Sequence, residues 1–227
     1  MALPTRAYTR PLHDPRSGHP APGGSELEFL LPKPPVTAAA PPPQTATRYT
    51  TVAVVLHWLL TIVIVVGFAI GLQMSDEPPS PMRVRWINYH KWIGITILGL
   101  SMLRLLWRFW HRPPALPETM QRWQRTAYRW VHRLLYLLFF IVPVAGWAYS
   151  SALGFHVVWL GLVPLPDLAP KDKALADVLI EVYATLAWTL ATLVGLHVLA
   201  ALKHQFVDKD GLLWRMWPRG DARNPAR

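Results

Sequence analysis

Four histidines lie within otherwise apolar stretches of the sequence, and their imidazoles could hold a metal ion or a haem. They are His57, His90, His132 and His197. Ionisable side chains are costly in lipid, so those that occur in apolar segments are usually functional. Neutral imidazole is a natural axial ligand for haem iron in a helix bundle, where residues on facing helices hold the macrocycle between them.

The other residues of these stretches favour haem over other metal centres. Zinc sites usually add carboxylate or thiolate ligands to histidine, and no Asp or Glu lies in the core of an apolar stretch. The chain contains no cysteine. This excludes disulfides, thiolate-bound iron–sulfur clusters and the covalent attachment of c-type haem.

The apolar stretches predict the helices that must position the histidines. Of the 227 residues, 52% are hydrophobic and only 16% are charged, whereas a soluble domain has roughly 25% charged residues. A membrane crossing needs about 20 mostly apolar residues, because lipid offers the backbone no hydrogen-bond partners. We therefore predict an all-α membrane protein, an up-down bundle of four transmembrane helices with spans near residues 51–73, 88–108, 128–150 and 180–203.

The ends of the chain have a different composition. Residues 1–47 are rich in Pro, Ser, Thr, Gly and Ala without a helical or strand period, which predicts a disordered Pro-rich tail. The haem-binding transmembrane domain is expected over residues 48–218, and a basic cytoplasmic tail over residues 219–227. The net charge is +10. Because the basic residues cluster between apolar runs, we expect a lipid partner and no nucleic acid.

The distribution of Lys and Arg predicts the orientation. These residues concentrate before the first span, between the second and third spans, and after the fourth. The two other loops contain only Arg83, Arg85, Lys171 and Lys173. The positive-inside rule then places both termini in the cytoplasm.

With this orientation, the histidines fall at two depths. His57, His132 and His197 lie near the cytoplasmic ends of their spans, and His90 lies near the outer end of its span. A lone histidine near a helix end is more often an interfacial residue, but three at one depth favour ligation. His204, next to Lys203, is interpreted as an interface residue.

Glycines and a proline predict features of helix packing. Small residues let helix backbones approach closely, and Pro143 is expected to kink the third span. The glycines in question are Gly67, Gly71, Gly94, Gly99 and Gly195.

A series of motifs runs through residues 48–218 in a characteristic order. They are Arg48-Tyr49, His57-Trp58, His90, Gly94, Arg104-Leu105, His132, Pro143, Gly146-Trp147, Gly195-Leu196-His197, Lys203-His204 and Arg215-Met216. In this order and spacing the chain resembles the bacterial cytochrome b561 family, membrane proteins with four spans and two b haems. The resemblance implies a multi-pass protein of the bacterial inner (plasma) membrane.

The resemblance also implies specific ligands. His57 and His197 would hold the haem on the cytoplasmic side, and His90 would hold the outer haem. The second outer ligand is expected fourteen residues before His197, where this chain has Tyr183. Fourteen helical residues rise about 21 Å and return to nearly the same face, so the position suits an outer ligand although the residue type does not.

Several readings of the outer site therefore remain open, and the number of haems is one or two. Tyr183 could ligate as tyrosinate, His90 could hold a five-coordinate iron alone, His156 in the outer loop could contribute, or the outer haem could be lost. His132 is not expected to substitute because it lies at the other depth.

Arg104 is expected to pair with haem propionates, with snorkelling to the headgroups as its alternative.

The resemblance implies a carrier of single electrons in the respiratory chain that exchanges with the quinone pool. Superoxide oxidation coupled to quinone reduction is an activity proposed within the family, although the outer loops of this chain are not clearly cationic. The alternative is a cytochrome b anchor subunit that binds a hydrogenase or dehydrogenase as its redox partner protein. A haem-free scaffold with incidental histidines is a third hypothesis.

Overall fold

A computed structural model describes residues 48–117 and 120–218 of the chain. Its main elements are the helices α1 (Thr51–Asp76), α2 (Pro81–Trp110), α3 (Arg122–Ala152) and α4 (Lys173–Lys203). All four are long and apolar enough to cross a membrane, which confirms the predicted all-α, four-span bundle. Each predicted span lies inside a longer helix. The tails predicted over residues 1–47 and 219–227 lie outside the described residues.

Polar residues set where the helices begin. Thr50, Ser80 and Asp172 each accept a hydrogen bond from the backbone amide three residues later, at 3.3, 3.1 and 3.1 Å. Such caps satisfy amides that the first turn leaves without a partner. Pro143 lies inside α3, which continues past it to Ala152.

Helices that follow one another in the chain pack side by side: α1 on α2, α2 on α3, and α3 on α4. Leu60, Leu135 and Phe139 form a buried apolar cluster in the bundle. Partly buried residues from all four helices surround it, namely Ile64, Ile97, Leu100, Val131, Leu190, Leu193 and Val194. Leu60 follows His57 by three residues, so this apolar layer lies about one helical turn from that histidine.

Two small elements close the ends of the bundle. The connection from α3 to α4 contains an antiparallel hairpin of β1 (Val158–Trp159) and β2 (Val163–Pro164). We call this end the distal face. After α4 the chain turns back to the 3₁₀ segment Leu213–Met216, where the Met216 carbonyl accepts a 2.7 Å hydrogen bond from the Trp58 indole of α1. We call this end the terminal face.

The glycines follow the packing prediction only in part. Gly67 and Gly71 of α1 face α2, where an added Cβ would lie 2.8 and 3.1 Å from side-chain atoms of that helix. The prediction was wrong for three others, because an added Cβ would meet no atom of the described residues within 4 Å at Gly94, Gly99 or Gly195. Sequence shows which residues are small, but not which face of a helix meets a neighbour.

Leu60→Ala is expected to destabilise the bundle by about 2 kcal/mol, because the cavity loses packing contacts that drive helix association in lipid. Leu59→Ala is the matched control, since Leu59 is 43% exposed and Leu60 only 1%. Both variants are heated after purification, and the loss of monodisperse protein on size-exclusion chromatography measures the unfolding of each. Equal shifts in the two variants would contradict this assignment of the core.

Candidate haem site

Three histidines from different helices meet near the terminal face. The ring centres of His57 in α1 and His197 in α4 are 6.4 Å apart, with planes at 89°. The ring centre of His132 in α3 is 5.1 Å from that of His197. We call these three residues the histidine layer. The structure thus brings together the residues that the sequence placed at one depth.

The distances between ring centres distinguish two possible ligand pairs in the histidine layer, His57 with His197 and His132 with His197. Metal–imidazole bonds are about 2 Å long, so two imidazoles on opposite sides of one haem iron would have ring centres about 6 Å apart. The pair of His57 and His197 matches that spacing, whereas His132 lies too close to His197. Nδ1 of His132 donates to the Tyr128 carbonyl at 2.8 Å, which leaves its Nε2 as a possible ligand atom, so the spacing alone separates the two pairs.

One buried nitrogen of this pair has no hydrogen-bond partner in the part of the chain that the structure describes. Nδ1 of His57 is buried and has no hydrogen-bond partner among the described residues. Buried polar atoms nearly always have a partner, so each exception requires an explanation. A group bound by the His57 ring would explain why this nitrogen has no partner within the described part of the protein. The residues at this end of α1 and α4 therefore fit a haem iron held between two imidazoles.

Arg104 of α2 supplies positive charge next to this pair. It lies close enough for its charge to act on both His57 and His197. Its guanidinium carbon is 5.5 Å from the centre of the Tyr136 ring. No carboxylate of the described residues forms a salt bridge with Arg104, so its charge is available to a bound anion.

At the distal face, His90 and Tyr183 contact each other directly. Nε2 of His90 is 2.7 Å from the Tyr183 hydroxyl oxygen, and Nδ1 is 3.0 Å from the Gly67 carbonyl oxygen. Because a carbonyl only accepts, Nδ1 carries the proton and Nε2 accepts from the phenol. Both nitrogens of His90 are therefore hydrogen-bonded.

This distal arrangement does not fit an iron between the two residues. Two ligand atoms on opposite sides of a haem iron would be about 4 Å apart, and the atoms of His90 and Tyr183 are 2.7 Å apart. The rings also fill the space in front of two glycines: an added Cβ at Gly71 or Gly146 would lie 3.1 Å from His90 or Tyr183, respectively. His156, another candidate, pairs with Asp167 at 2.8 Å and is exposed.

One polar cluster was not anticipated from the sequence. His204 follows α4 in a π-helical turn, where its Nδ1 lies 2.6 Å from Asp210 and 3.1 Å from Asp208. Lys203 binds Asp208 at 2.6 Å, and Asp210 also accepts from the Leu212 amide. These contacts turn the chain from α4 into the 3₁₀ segment, so His204 has partners within the protein. The two aspartates that follow His204 within six residues were the sequence feature that could have predicted this cluster.

Comparisons with known proteins find similarity over most of the chain. A family model described as "Prokaryotic cytochrome b561" matches residues 48–219. The chain is 33% identical over 176 residues to "Cytochrome b561 homolog 2" of Escherichia coli (strain K12), covering 76% of this chain and 92% of that protein. It is 30% identical over 173 residues to "Probable superoxide oxidase CybB" of Yersinia pestis, covering 76% of this chain and 97% of that protein.

Proposed function

The chain belongs to the prokaryotic cytochrome b561 family, and from this premise we propose that it is a membrane electron carrier with one haem b between His57 and His197. The observation that supports this number and position is the contrast between two ring pairs. The imidazoles of His57 and His197 have the spacing expected of ligands on opposite sides of a haem iron, with ring centres 6.4 Å apart. The ring centres of His90 and Tyr183 are also 6.4 Å apart, but the tyrosine oxygen projects beyond its ring and lies 2.7 Å from Nε2 of His90, which leaves no gap for an iron.

Haem b supplies reversible one-electron chemistry between ferric and ferrous iron. In this chain His57 and His197 would bind from opposite helices, which ties α1 to α4. The Arg104 guanidinium would form charge-assisted hydrogen bonds to propionate carboxylates. Its positive charge would also stabilise the reduced haem, which carries one more negative charge than the oxidised haem. The apolar cluster around Leu60 and Phe139 keeps water out on the side away from the terminal face.

The electron partner we propose is membrane quinone, with superoxide as a donor. One relative carries a name that refers to superoxide oxidation, which favours this donor over others. In the net reaction two superoxide anions each give up one electron and become dioxygen, while one quinone takes up two electrons and two protons. We further propose that the terminal face lies in the cytoplasm of a bacterial inner membrane, because Lys and Arg concentrate on that side.

Spectroscopy of the purified protein tests this function. Reduced protein under anaerobic conditions is expected to lose its ferrous haem absorbance within seconds of adding a soluble quinone analogue, and to keep it without quinone. Oxidised protein is expected to gain that absorbance when superoxide is generated enzymatically, and superoxide dismutase is the control. If neither quinone nor superoxide changes the spectrum, the oxidase function is wrong. A stoichiometric periplasmic enzyme that copurifies would instead favour the anchor-subunit function.

A further inference from the structure

A pocket at the terminal face is lined by positive charge. It has a volume of about 80 Å³ and lies between the start of α1, the end of α2 and the 3₁₀ segment. We call it the arginine pocket, and its polar walls include Tyr49, Arg104, Trp107, Arg108 and Arg112. The volume accommodates several water-sized groups, and none of the described residues that line the pocket is acidic.

Arg108 and Arg112 of the arginine pocket have no counter-ion within the described part of the chain. The salt bridges found in residues 48–117 and 120–218 involve neither Arg108 nor Arg112. Tyr49 cannot supply the negative charge. Burial, and then the neighbouring Tyr128, raise the pKa of Tyr49 well above its ordinary value. Its neutral hydroxyl lies 3.0 Å from that of Tyr128, so the arginines repel one another unless an external anion binds.

The walls of the pocket are held in place by other contacts. The Trp107 indole donates a 2.8 Å hydrogen bond to the Thr50 hydroxyl, and the His111 ring stacks on Trp107 at 4.0 Å. The Arg108 guanidinium carbon is 5.7 Å from the centre of the Tyr136 ring. A guanidinium that is already positioned loses little entropy on binding, and its planar fork matches phosphate oxygens.

The depth of the pocket indicates the source of the anion. Arg108 is in the last turn of α2 and Arg112 follows its end, so both lie where an apolar helix meets the headgroup region. Trp107 and Trp110 in the same turn are typical of that boundary. Basic pockets between transmembrane helices bind the headgroups of anionic lipids. We propose that the arginine pocket binds the phosphate of an anionic phospholipid in the leaflet at the terminal face.

The same chemistry would suit a carboxylate of the haem, so the two sources must be distinguished. Arg104, assigned above to the propionates, is one helical turn deeper than Arg108, and Arg112 lies beyond the end of α2. The lipid proposal concerns the two shallower arginines and does not depend on the haem assignment. Haem content therefore provides a separate readout.

Native mass spectrometry of the delipidated full-length protein tests the proposal, with an equimolar mixture of phosphatidylglycerol and phosphatidylcholine as the probe. The parent is expected to retain phosphatidylglycerol at least about tenfold more than phosphatidylcholine. Arg108→Gln/Arg112→Gln is expected to lose this preference and keep its haem. Arg122→Gln/Arg129→Gln, which removes two exposed arginines from the start of α3, is the matched control and is expected to keep the preference.

Three results would overturn the proposal. The parent could bind the two lipids equally, the control pair could lose the preference as strongly as the pocket pair, or the pocket variant could lose haem while keeping its lipid preference. The last result would assign the pocket to the haem carboxylates. If the double variant does not fold, Arg112→Gln alone, beyond the end of α2, and the parent's own lipid preference still decide the matter.

Discussion

His57→Ala and His197→Ala proteins are each expected to purify with at least about tenfold less haem per chain than the parent, because loss of one axial imidazole leaves the iron without half of its protein ligation. The ring centres of these two residues are 6.4 Å apart, the spacing expected of two imidazoles on opposite sides of a haem iron. The pyridine haemochrome assay, normalised to protein by amino-acid analysis, measures the change.

His132→Ala is the matched control, since it removes the third imidazole of the histidine layer at 5.1 Å from His197. It is expected to keep the haem content of the parent. If His132→Ala loses haem and His57→Ala keeps it, the ligand pair is His132 and His197. If all three variants keep one haem, the histidine layer does not bind iron and the proposed function fails.

Tyr183→His is expected to raise the haem content from one to two per chain. The phenol hydroxyl now reaches to within 2.7 Å of His90 Nε2, and a shorter imidazole would withdraw from it and provide a second nitrogen ligand. The haemochrome assay and the appearance of a second low-spin ferric signal in electron paramagnetic resonance measure the gain.

Two further variants test whether the parent already has a distal haem. Tyr183→Phe removes only the hydroxyl, and His90→Ala removes the imidazole; both are expected to keep one haem per chain. A parent with two haems that falls to one in His90→Ala would show that the distal site works despite Tyr183. The proposal of a single haem would then be wrong, while the pair of His57 and His197 would still stand.

The positions of the helices along the membrane normal were accessible from the sequence. Backbone groups in lipid must bond within their own segment, so four apolar stretches predict four helices whatever their partners are. The rise of 1.5 Å per residue is the same in every helix, which is why His57, His132 and His197 could be assigned one depth before any contact was known.

Rotation about the helix axes was much harder to predict. Gly94 and Gly195 were expected to face neighbouring helices, and an added Cβ there meets no described atom within 4 Å. The apolar residues of a membrane helix face both lipid and protein, so their distribution along the sequence only weakly indicates which face of the helix contacts the protein. The arginine pocket could not be recognised for a related reason: it combines the start of α1, the end of α2 and the 3₁₀ segment, which are far apart in the chain.

The sequence by itself determined that this protein has four membrane helices, with histidines at two depths and a tyrosine at the position where the family resemblance implies a fourth ligand. Only the tertiary structure decided that His197 has the spacing of a ligand pair with His57 rather than with His132, and that His90 and Tyr183 close on each other. The reason is physical. Depth follows from helix geometry, which is common to all sequences, whereas the distance between two side chains on different helices depends on how those helices pack and rotate.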